Sequence, residues 1–150
     1  MRNLAHSGKK SPRVRQTAVL LTQNLPQKDR EEEIKALYRF VRDRIRYVRD
    51  IRGVETLHTA DRILENKQGD CDDKSVLLAS LLESLGFQTR FTAIGFSPPK
   101  KLFGKLSAVG YSHVLPEVLL RGEWIALETT EPVGLGWFPG KAQSLLIINN

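Results

Sequence analysis

The first half of the chain carries hydrophobic residues at helical spacing. From residue 34 to residue 45 they recur every three or four positions, which predicts a helix with one face in the core. Asp29 precedes three consecutive glutamates and is expected to cap this helix. A second helix is predicted from about Pro12 to Leu25, where Pro26 interrupts the pattern, and a brief one over Asp61 to Glu65.

A wider hydrophobic stripe follows in the middle of the chain. The segment CDDKSVLLASLLESLG places five leucines on one broad helix face, and Gly86 provides a helix stop. A stripe of this width is typical of a helix that is covered on several sides. We therefore predict a central buried helix with Cys71 in its first turn.

After Phe87 the hydrophobic period changes from helical to alternating. Strands are predicted over Thr89 to Phe96, Tyr111 to Leu120 and Glu123 to Glu128, with Arg121-Gly122 as a tight hairpin turn. The run from Leu145 to Ile148 is a candidate final strand. Helices followed by an antiparallel sheet indicate an α+β fold.

Length and composition favour one domain over residues 1–150. With 150 residues and 41% hydrophobic positions, the chain can build one core but not two. Residues 1–12 contain little that could be buried and are expected to form a flexible basic arm. The connection from Ser97 to Gly110 contains two prolines and three lysines, which suggests a flap or binding loop.

Neither a membrane span nor a secretory signal is recognised, so a cytoplasmic location is expected, with virion association left open.

The charge distribution says little about partners. The net charge of +6 originates in the first fifty residues, which hold 13 Lys and Arg against six acidic residues. Aromatic residues do not interleave with the basic cluster near the N-terminus, as a surface that stacks nucleic-acid bases would require. A solvated helix face is the simpler interpretation, and nucleic-acid contact through residues 9–49 is the less favoured one.

Cys71 is the first candidate for chemistry. The unpaired N–H groups and the dipole at a helix start favour a thiolate there and can also hold an oxyanion, although Asp70, Asp72 and Asp73 oppose a negative sulfur. The alternative is that Cys71 is a small buried hydrophobic residue. A single cysteine forms no internal disulfide, and with His6, His58 and His113 scattered, no metal site is expected.

His113 and Glu128 are the other candidates. Alternation in the second strand puts His113 on the same face as Leu115 and Glu117, and a histidine there is either a paired structural residue or a base. The hairpin brings Glu128 near the level of His113, where a carboxylate could fix the tautomer of the imidazole. Glu117 is the competing partner for His113.

These segments resemble a known family. GDCDDKSVLLASLLESLGFQTRFTAIG and YSHVLPEVLLRGEWIALETTEP are similar to the core of the transglutaminase-like superfamily, a papain-related fold, and YVRDIRGVETLHTADRIL resembles its bacterial and bacteriophage members. The similarity covers about residues 34–138. It implies that a helix bearing Cys71 packs on an antiparallel sheet, with Cys71 as nucleophile, His113 as base and Glu128 where the family usually has aspartate. The extra methylene of glutamate is expected to lengthen the orienting hydrogen bond or to require a shifted strand.

The resemblance implies a cysteine-dependent amide or peptide hydrolase, or an acyl transferase, that acts through a thioester on a peptide or protein substrate without metal or cofactor. The alternative is a catalytically silent interaction module, for example in phage or prophage particle assembly with phage structural proteins as partners. Five further residues are interpreted less specifically. Tyr47 and Gln68 are unplaced candidates for a second oxyanion donor, and His58 is expected at the surface. Trp124 and Trp137 are expected to be packing residues.

Overall fold

The computed structural model describes residues 1–49, 56–97, 101–102, 105–106 and 110–149. Its helices are α1 (Arg2–Gly8), α2 (Pro12–Thr22), α3 (Arg30–Arg44), α4 (Ala60–Asn66) and α5 (Cys71–Ser84). Its strands are β1 (Arg46–Tyr47), β2 (Gln68–Gly69), β3 (Thr89–Gly95), β4 (Lys101–Leu102), β5 (Lys105–Leu106), β6 (Tyr111–Leu120), β7 (Glu123–Ala126) and β8 (Ser144–Ile148).

Helix α5 is the centre of the fold. It contacts the four other helices and also strands β3 and β6. Every residue from Asp73 to Glu83 is buried, and the leucines at 77, 78, 81 and 82 have no exposed surface. Each buried leucine contributes about 1.5–3 kcal/mol to folding, so α5 holds a large share of the core free energy. Leu85 ends the helix, and Gly86 follows in the left-handed region with φ of +85°.

The main sheet has the strand order β7-β6-β3-β8, and its neighbouring strands are antiparallel. Arg121 and Gly122, both with positive φ, form the predicted turn between β6 and β7. One face of β6 points to the helices through Val114 and Val118, and the other packs Leu115 against the segment that follows β7. The predicted α+β class, with the Cys71 helix against an antiparallel sheet, is confirmed.

The prediction of a flexible arm over residues 1–12 is wrong for its greater part. Residues 2–8 form α1, which packs on α5 with Ala5 and Gly8 buried. A Cβ added to Gly8 would lie 2.3 Å from Ser80 Oγ, so the two helices approach more closely than a larger residue allows. Arg2 donates a 2.9 Å hydrogen bond to buried Glu83. Small residues carry this interface, which is why the hydrophobic pattern did not indicate it.

Other elements differ from the prediction at their ends. Helix α2 ends at Thr22 instead of Leu25, and β7 ends at Ala126, two residues before Glu128. Most of the predicted flap from Ser97 to Gly110 lies outside the described residues. Its described part includes β4 and β5, which form an antiparallel pair. None of the helices in the described ranges is long and apolar enough to cross a membrane.

Candidate active site

Cys71 is held at the start of α5 by the short segment that precedes it. Strands β1 and β2 pair in parallel, and Val48 N donates to Gly69 O at 3.0 Å. Asp70 then caps the helix, since its Oδ1 accepts from Asp73 N at 3.0 Å. The next residue is therefore fixed in the first turn, where backbone N–H groups lack intrahelical acceptors. Cys71 is partly buried, and its sulfur lies 3.8 Å from Asp72 Oδ1.

His113 lies on β6 close to the start of α5. The pairing of β3 with β6 is irregular at this level, where the register shifts between Ile94 and Gly95. One turn after Cys71, the hydroxyl of Ser75 donates to Val114 O at 3.3 Å. This contact ties the first turns of α5 to the strand residue next to His113. Cys71 lies near enough to the His113 ring to raise the pKa of the imidazole.

Glu128 reaches His113 from beyond the end of β7. Its Oε2 lies 2.5 Å from His113 Nε2, and its Oε1 accepts from both the backbone N and the Oγ1 of Thr130, each at 2.7 Å. The residue is 1% exposed. Of the two outcomes expected for glutamate, a longer hydrogen bond or a shifted strand, the longer bond is not found. Strand β7 ends at Ala126, so Glu128 lies outside the regular strand.

Helix α3 fixes the segment that carries Glu128. The Tyr38 hydroxyl lies 2.6 Å from Glu128 O and 2.7 Å from Val133 O, and Arg42 donates to Val133 O at 2.6 Å. The position of Glu128 is thus set by two residues that lie about ninety positions earlier in the chain.

The site favours a charged imidazole. Burial alone lowers the pKa of His113, but the hydrogen bonds to Cys71 and Glu128 outweigh it and raise the pKa to about 10. Burial alone raises the pKa of Glu128, but the hydrogen bonds from His113 and Thr130 lower it below its ordinary value. Because Nε2 faces Glu128, Nδ1 is the nitrogen left for Cys71.

A buried lysine that the sequence did not single out lies one turn after Cys71. Lys74 is 2% exposed, and its Nζ donates to Ile45 O at 2.8 Å and to Arg42 O at 3.3 Å. These carbonyls belong to the C-terminal end of α3, where a cation is favourable. Burial lowers the pKa of Lys74 to about 8, and the charge of Glu128 opposes that shift. Lys74 thereby ties α5 to the residues that lead into β1.

An open cleft of about 880 Å³ lies beside His113 and Glu128. Three aromatic side chains, those of Tyr47, Phe96 and Trp137, line it and remain partly exposed. The interpretation of Trp137 as a packing residue is therefore corrected. Its hydrophobicity was visible in the sequence, but its place on a loop at the cleft was not.

The remaining candidates lie elsewhere or have other partners. Glu117 accepts from Arg90 Nε at 2.5 Å and from Thr92 Oγ1 at 2.9 Å, so it is not the partner of His113. His58 pairs through Nδ1 with Asp73 Oδ2 at 2.8 Å. Gln68 accepts from Arg46 at 2.7 Å. Within the described part of the chain, no three His, Cys, Asp or Glu residues are grouped as a metal would need.

The model of the transglutaminase-like superfamily matches residues 18–129 of the sequence. The chain belongs to this superfamily. The family resemblance of the Cys71, His113 and Glu128 segments is thus confirmed for the domain in which they lie. No curated protein matches the sequence.

Solved structures similar to this transglutaminase-like chain support the fold. A putative protease from Parabacteroides distasonis superposes with a TM-score of 0.67 at 14% identity, covering 85% of this chain and 25% of that one. A putative cysteine protease from Cytophaga hutchinsonii gives a TM-score of 0.61 at 16% identity, covering 92% of this chain and 46% of that one. The transglutaminase-like domain therefore spans less than half of either neighbour.

Proposed function

We propose that the protein is a cysteine-dependent amide or peptide hydrolase, or an acyl transferase, that works through a thioester on Cys71. The observation that carries the proposal is His113, whose ring is hydrogen-bonded to buried Glu128 and whose pKa is raised by the neighbouring Cys71. A nucleophile, a base and an orienting carboxylate in contact are the components that acyl transfer requires. The superfamily and the two protease-like neighbours agree with this chemistry.

In the first half-reaction, the Cys71 thiolate attacks the carbonyl carbon of an amide, and the carbonyl electrons move to oxygen. The tetrahedral intermediate collapses, the carbon–nitrogen bond breaks, and protonated His113 gives its proton to the leaving amine. The acyl group remains on sulfur as a thioester. Backbone N–H groups at the start of α5 stabilise the oxyanion.

In the second half-reaction, neutral His113 takes a proton from water or from an amine as that molecule attacks the thioester. The carbon–sulfur bond breaks, Cys71 leaves as thiolate, and an acid or a new amide is released. Glu128 holds the proton-bearing Nε2 throughout, so that Nδ1 carries out both transfers. No step requires a metal or an organic cofactor.

Alkylation of Cys71 tests the proposal directly. Because the chain has one cysteine, an intact-mass shift after iodoacetamide treatment reports this residue alone. Between pH 8 and pH 6 a free thiol loses nearly a hundredfold in rate, since its thiolate fraction falls about tenfold per pH unit. We expect Cys71 to lose less than about fivefold, because protonated His113 stabilises the thiolate.

The comparison compound is glutathione, measured in the same buffers. If Cys71 follows the glutathione profile, the proposed nucleophile is inactive, and the silent interaction module becomes the better interpretation. A panel of peptide amides then separates hydrolysis from transfer, with Cys71→Ala as the inactive reference. Retention of all amidase activity by Cys71→Ala would also contradict the proposal.

A further inference from the structure

The cleft beside His113 presents an unusual amount of aromatic surface to solvent. Tyr47, Phe96 and Trp137 are 42%, 41% and 40% exposed. They come from three separate parts of the fold: β1, the end of β3 and the loop before β8. Large aromatic side chains that remain exposed together in a concave site are typical of a surface that binds an apolar group.

The charges around the cleft favour an acidic ligand. Among its described lining residues, Arg49 and Lys141 are positive and Glu131 is negative, while the charge of Glu128 is matched by His113. A smaller cleft of about 380 Å³ shares Tyr47, Thr130 and Glu131 with it. Its other charged lining residues are Asp43, which pairs with Arg42, and the basic Arg44, Arg46 and Lys74. A chain that extends from one cleft into the other therefore passes mainly basic side chains.

We propose that the cleft selects peptides in which a large apolar side chain and a neighbouring acidic residue lie close to the carbonyl that Cys71 attacks. The inference rests on the proposed function, since it concerns the substrate of the same site. The aromatic side chains supply contact area for the apolar group. The arginines and Lys141 supply electrostatic attraction for the carboxylate, which falls as salt is added.

Peptidyl vinyl sulfones test this proposal without requiring turnover. The Cys71 thiolate adds to the vinyl carbon on the peptide side, which is β to the sulfone, the carbon next to the sulfone takes a proton from His113, and no group leaves. The probes are tripeptides that share one scaffold and carry Phe or Ala at one position, with Asp or Lys beside it. Burial of one side chain of this size corresponds to about a tenfold to hundredfold gain. We expect the Phe-Asp probe to react at least tenfold faster than the Ala-Asp and Phe-Lys probes.

Two variants locate the preference in the cleft. Trp137→Ala and Phe96→Ala are each expected to reduce the Phe-to-Ala rate ratio about fivefold or more. The matched control is Leu20→Ala, because Leu20 is 57% exposed on α2 and does not line the cleft. Should one aromatic variant fail to fold, the other and the wild-type probe series still decide the result.

The possible failures are distinguishable. Equal rates for Phe and Ala probes, or for Asp and Lys probes, with fast labelling of Cys71 would overturn the substrate inference and leave the proposed function intact. Slow labelling by every probe, at the rate of glutathione, would overturn the proposed function itself.

Discussion

Replacing Glu128 with glutamine tests how the site controls the His113 proton. The side chain keeps its length but loses its charge. The Thr130 N–H can only donate, so it keeps the oxygen of the new side-chain amide as its acceptor. The NH₂ group of that amide then faces His113 Nε2. His113 must then accept at Nε2, which places its proton on Nδ1, towards Cys71. The imidazole can no longer take the thiol proton.

The magnitude follows from the contact distance. Opposite charges in direct contact shift a pKa by about 1–3 units, or roughly 1.4–4 kcal/mol. Glu128 lies 2.5 Å from His113 and is 1% exposed, so water cannot replace it easily. With a pKa of about 10, His113 stays protonated over the neutral range, and amide cleavage is expected to fall as pH rises through that value. In Glu128→Gln the alkaline limb should move down by about 1–3 pH units, and turnover should fall about 10²- to 10⁴-fold.

The assay is the pH profile of Cys71 alkylation and of peptide-amide cleavage. Glu117→Gln is the matched control, because Glu117 lies on β6 with His113 but binds Arg90 and Thr92 instead of the imidazole. Thermal unfolding of both variants checks that they are folded. A Glu128→Gln protein with an unshifted alkaline limb and turnover within about threefold of wild type would refute the assigned role of the carboxylate.

Two stability predictions concern the contacts that hold the site in place. Gly8→Ala should destabilise the protein by about 1–3 kcal/mol in chemical denaturation, because the new Cβ would lie 2.3 Å from Ser80 Oγ, whereas Gly134→Ala, with no atom within 4 Å of its Cβ, should change little. An unchanged denaturation midpoint for Gly8→Ala would contradict the close packing of α1. Tyr38→Phe should cost about 1 kcal/mol and lower turnover, since Glu128 O and Val133 O lose a shared donor. Full activity in that variant would show that Tyr38 does not position Glu128.

The elements that large hydrophobic residues define could be predicted from the sequence. Helices α3 and α5 and strand β6 each show a clear period, and the Arg121-Gly122 turn follows from its position between two alternating segments. Helix α1 could not be found this way, because Ala5 and Gly8 contribute close backbone approach instead of apolar area.

The candidate site was predictable in its residue types but not in its supports. The positions of Cys71 and His113 follow from local pattern. The Glu128 side chain is positioned by Tyr38, which binds its backbone carbonyl, and by Thr130, which binds its carboxylate. No local sequence pattern indicates that these residues contact the segment after β7. Lys74 reads as an ordinary helical lysine until the end of α3 is placed against it.

Both carboxylate oxygens of Glu128 already have hydrogen-bond partners, and this has a consequence for ligand binding. One of its oxygens holds the imidazole and the other accepts two hydrogen bonds from Thr130, so these contacts within the folded chain restrict rotation of the His113 ring. The conformational entropy of these groups is lost when the chain folds, so binding of an acyl donor does not have to align them. The candidate cluster of Cys71, His113 and Glu128 is in this sense preorganised, and capture of an electrophile by Cys71 should proceed in a single kinetic phase without a slow rearrangement.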